Sequence, residues 1–124
     1  MASNLAIGDA LALGYGDKSG MVLVGKAKAS MAFVTSIVPS GHFDTVLIGV
    51  GTYDSKKTTV LAVENLRNII VLKNTPTKII WIIPAVPIVR DIIMRVAKFH
   101  GDVIFLHQPS MRTHPLPVEF TVIS

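Results

Sequence analysis

Five short apolar runs recur along this chain, each closed by glycine, proline or a polar turn. Leu5-Ala6-Ile7 ends at Gly8-Asp9, Met21 to Val24 at Gly25, and Lys78 to Ile83 at Pro84, while Thr45 to Gly51 and Val103 to Leu106 complete the set. Three to seven residues suit strands better than helices, and their unbroken apolar character suits strands covered on both faces. Parallel strands need crossover connections, usually helices. Residues 27 to 38 (Ala27, Met31, Val34, Val38), 58 to 73 (Ala62, Leu66, Ile69, Ile70) and 86 to 99 (Ile88, Ile92, Val96, Phe99) carry helical spacing. Gly14, Gly16 and Gly20 mark the first connection as a loop. The expectation is an α/β fold, a mostly parallel sheet between two helical layers.

The sequence divides into an α/β domain over 1–108 and a tail over 109–124. The tail carries Pro109, Pro115 and Pro117 and then a strand-like run, Val118 to Ile123. An exposed apolar strand seeks a partner edge, so the tail is read as a contact with protein partners or with further copies of the chain.

Hydrophobic residues make up 50% of the 124 and charged residues 16%, which excludes a disordered chain. The formal charge of +4 comes without a long basic run, and aromatics are only 6%, so an ordinary solvated surface is favoured over a nucleic-acid platform. With no cysteine there is no disulfide or thiolate chemistry. No signal peptide is recognised at the N-terminus, and Ile79 to Val89 is too short to span a bilayer, so synthesis in the cytoplasm without membrane insertion is expected. His42, His100 and His107 show no metal-ligand spacing, and no metal or cofactor is expected.

In parallel sheets ligands sit at the carboxyl ends of the strands. The short motifs of this chain gather there: Gly8-Asp9-Ala10-Leu11, Gly25, and Gly51-Thr52-Tyr53-Asp54, with His114-Pro115 in the tail. In this order they resemble the four blocks of the SGNH hydrolase superfamily, the GDSL esterases and lipases. Lys78 to Pro84 and Phe99 to Asp102 are similar to small bacterial and phage members. The resemblance covers nearly the whole chain. It implies a flavodoxin-like three-layer sandwich with strand order 2-1-3-4-5, an ester hydrolase site and an acylated carbohydrate or cell-envelope substrate.

The departures from that pattern bear on function. Ala10 stands at the nucleophile position, Tyr53 at the oxyanion asparagine and Met111 at the acid that would orient His114. Only Gly25 and His114 match the family's chemical residues. Acyl transfer needs a nucleophile, a base and oxyanion donors. A methyl group cannot attack, and Met111 cannot orient an imidazole. An engineered knock-out would need only the first change, so three changes point to natural loss of catalysis. The expected role is structural, in an assembly such as a virion. The alternatives are an esterase seen as a Ser-to-Ala variant, and a module that binds a glycan or acyl ligand without turnover.

The expected pocket comprises Asp9, Gly25, Gly51, Asp54 and His114, with Asp9 as a cap at its strand end and Asp54 capping the helix from Thr58. Ser30, Ser55 and Ser110 lack the strand-to-helix elbow of a stand-in nucleophile. Gly51 to Thr58 approaches a phosphate-binding loop, but Lys56 occupies the place of the glycine that lets backbone amides close around phosphate.

Overall fold

Asp9 ends the first strand and starts the first helix with a single side chain. Its carboxylate accepts from the Leu11 N–H at 3.1 Å, satisfying a donor that the first turn of a helix leaves open. The computed structural model describes residues 3–54 and 57–107. Over these the chain runs β1 (Asn4–Gly8), α1 (Ala10–Lys18), β2 (Val22–Gly25), α2 (Met31–Ser36), β3 (Thr45–Gly49), α3 (Val60–Asn74), β4 (Lys78–Ile83), α4 (Pro87–His100) and β5 (Val103–Leu106).

All five strands pair in parallel in the order β2-β1-β3-β4-β5. Side chains alternate across the sheet as the pleat requires. Leu5, Ile7, Val46, Ile48, Ile79, Trp81 and Ile83 pack with α2, α3 and α4 on one face. Ala6, Leu47, Ile80, Ile82 and Phe105 join Ala12 and Tyr15 of α1 on the other. The α/β architecture, the strand order and the helices on both faces are those expected from the sequence.

Two local expectations are corrected. The stretch with Gly14 and Gly16 is helix α1, not a loop. Gly16 is buried, and a Cβ there would lie 2.3 Å from the Ala6 Cβ. A Cβ on Gly49 would likewise meet the Ala12 Cβ at 2.8 Å. These glycines serve close packing of helix on sheet. The helix expected over 27–38 is confined to Met31–Ser36, because Lys28 turns through φ 60° and Ser30 caps the helix with its side chain on the Phe33 N–H.

The end opposite the candidate site is tied by polar groups. Arg67 donates to both oxygens of Asp102, at 2.7 and 2.8 Å, and the indole N–H of fully buried Trp81 donates to the same carboxylate at 2.9 Å. Asn74, also buried, donates to the carbonyls of Pro39 and Gly41.

Candidate functional site

Three glycines in register, Gly25, Gly8 and Gly49, end β2, β1 and β3 side by side. A Cβ on Gly25 would stand 2.0 Å from the Gly8 carbonyl oxygen, and one on Gly8 the same distance from that of Gly49. Gly8 and Gly25 also take φ values of +143° and +144°, which side chains rarely adopt. Glycine is therefore required where the strands give way to loops. Past this row the Asp9 N–H donates to the Gly49 carbonyl at 2.9 Å, and the chain enters α1.

Ala10 is the first residue of α1 and is exposed. Asp9, just before it, is 3% exposed. Burial pushes its carboxyl above the ordinary value, outweighing the backbone N–H groups that favour the charged form, and the charge of Asp54 pushes the same way. Asp9 and Asp54, called from different strand ends, thus lie in one electrostatic neighbourhood.

Asp54 does not cap the helix that follows it, which corrects the expectation for this residue; Thr59 does that, accepting from the Ala62 N–H at 3.0 Å. Asp54 Oδ2 instead accepts from the Met31 N–H at 2.8 Å and so joins the loop after β3 to the start of α2. Gly51 bends that loop at φ +103°, against Val89 of α4. Tyr53 is half exposed.

A groove of about 760 Å³ opens between α2 and α3 beside this loop. Tyr53, Asp54 and Lys57 line it from the loop, Ser30, Met31, Ala32 and Thr35 from the α2 side, and Ala62 and Asn65 from α3. The cavity shares Tyr53 and Asp54 with the site expected from the sequence, whereas Asp9, Ala10, Gly25 and Gly51 are not among its lining. Met111, His114, Ser55 and Ser110 lie outside the described residues. In the sequence Lys57 is marked only by the near phosphate-binding loop Gly51 to Thr58, and Thr35 and Asn65 carry no signal, because no motif marks a groove between two helices. Ser30, weighed as a nucleophile, is committed to capping α2.

His107, at the end of β5, is 2.8 Å from the Tyr15 hydroxyl. Among the described residues no three His, Asp or Glu side chains gather as a metal site, and no helix is long and apolar enough to cross a membrane. In comparison with known proteins, the chain matches no family model and no curated protein.

Proposed function

We propose that this chain is an SGNH hydrolase-like domain that no longer cleaves esters and uses its loop rim to bind a ligand. The observation that carries the reading is Ala10. It follows the capping Asp9 at the carboxyl end of the central strand, exposed, with a methyl group where the family's nucleophile would stand. The neighbouring groove, with charged, hydroxyl, amide and aromatic side chains, favours binding without turnover.

The test is hydrolysis of short-chain aryl esters by the unmodified protein and by Ala10→Ser. Both are expected to stay at the uncatalysed rate, because Tyr53 and Met111 still replace the oxyanion donor and the acid. Hydrolysis by the unmodified protein overturns the reading. Activity gained by Ala10→Ser alone supports instead an esterase whose serine was lost singly.

A second reading is a structural subunit, with phage virions as the setting that the resemblance suggests. The edge strand β2 favours it, since Val22 and Leu23 are 49% and 42% exposed. Self-association is expected to show as a mass above 13.4 kDa in sedimentation, and a monomer at all concentrations counts against it.

A further inference from the structure

Among the described strands β2 pairs with β1 alone, so one side of its backbone has no strand beside it. Edges left open are usually guarded by a charge, a proline or a bulge. Val22-Leu23-Val24-Gly25 carries neither charge nor proline, and Val22 and Leu23 are about half exposed. β5, the other edge, exposes only Leu106 of its four residues. The setting of β2 is basic. Lys18, Lys26 and Lys28 are exposed, and no acidic residue occurs from position 18 to position 43. The chain itself holds a run of matching character. Val118 to Ile123, outside the described residues, is rich in β-branched and aromatic side chains and carries one acid, Glu119, and no base.

We infer that β2 receives the segment Val118 to Ile123 from a second copy of this chain, as a strand added along its open side. The inference rests on the reading of the chain as a structural subunit and names the contact that joins the copies. Main-chain hydrogen bonds supply the attraction, as in other strand additions. Glu119 brings a negative charge to a basic edge, which favours this partner over the basic surfaces of the same chain. Pairing within one copy is opposed by the path. β5 and β2 lie at opposite edges of the sheet, so the connection 108–117 would have to cross the whole carboxyl rim. Pro109, Pro115 and Pro117 favour an extended connection, about 31 Å over ten residues at the polyproline rise, which carries the strand away from its own sheet.

The experiment is sedimentation of the full chain and of two variants, alone and mixed. Thr121→Pro removes a main-chain donor from the added strand and leaves the described fold untouched. Val22→Asp places an acid on the receiving edge. The unmodified chain is expected to associate above 13.4 kDa, and each variant alone to associate at least about tenfold more weakly. An equimolar mixture should regain association, because the intact tail of one variant meets the intact edge of the other. Thermal melts check that Val22→Asp folds, and if it melts early Thr121→Pro alone decides. Undiminished association by either variant overturns the inference and leaves the structural reading standing. Failure of a mixture of folded variants to associate better than its components overturns it as well, since tail and edge then act within one copy. A full chain that stays monomeric at all concentrations overturns both the inference and the structural reading.

Discussion

Asp9 shows how one side chain serves fold and site with opposing energetics. As the cap of α1 it stabilises the helix; as a buried carboxylate near Asp54 it resists ionising. Because its folded value lies above the ordinary 3.8, the folded chain keeps a proton that the unfolded chain releases. That contribution to stability is complete below the unfolded value and is lost as pH rises through the folded one. Asp9→Asn keeps an acceptor for the Leu11 N–H and removes the charge. Thermal melts across pH are expected to place this variant above the parent at neutral pH, with the gap closing as pH falls below the ordinary carboxylate range. A gap independent of pH would show that burial of the charge is not its cause. That Asp9 caps the strand end was legible in the sequence. The partner of Asp54 was not, since its contact with Met31 spans 23 positions and follows no local pattern.

At the scale of elements, α1 is the most instructive because its glycines read as loop signals. Gly14 is exposed with open space around it, whereas Gly16 is wedged on Ala6. The two should respond oppositely to the same change. Gly16→Ala is expected to destabilise by about 1–3 kcal/mol through overpacking. Gly14→Ala should stabilise by up to about 1 kcal/mol through helix propensity. Urea unfolding of both variants checks this, and equal effects would remove the distinction between a packing glycine and an incidental one. The misreading has a physical cause. Local propensity disfavours glycine in helices, and the close approach that outweighs it is tertiary. The strands were easier to read, because a run such as Lys78 to Ile83 announces burial on both faces through its own composition. The α2 helix was overextended, because Ala27 continues the apolar spacing across a turn that only backbone geometry reveals.

For the molecule as a whole, the carboxyl rim carries the candidate chemistry and the Asp102 network secures the far end. Asp102→Ala would leave the Arg67 guanidinium and the Trp81 indole without their shared acceptor. The pair itself is only partly buried, but leaving the buried indole N–H without an acceptor costs about 1–3 kcal/mol, and chemical denaturation is expected to show a loss of that order with the groove residues untouched. A loss below about 0.5 kcal/mol, the level of ordinary surface changes, would demote the network to decoration. Strand order was readable from the alternation of patterns together with the family resemblance. The groove between α2 and α3 was not, because it exists only where a loop from β3 meets two helices distant in sequence.

The seating of α1 also limits how this protein can change over evolutionary time. With Gly16 against Ala6 and Ala12 against Gly49, the helix cannot slide or tilt without a collision. Position 10 is therefore a fixed point, and new specificities have to be written in the segments that follow the second and third strands. Variation among descendants of this chain should accumulate there and spare the small residues beneath α1.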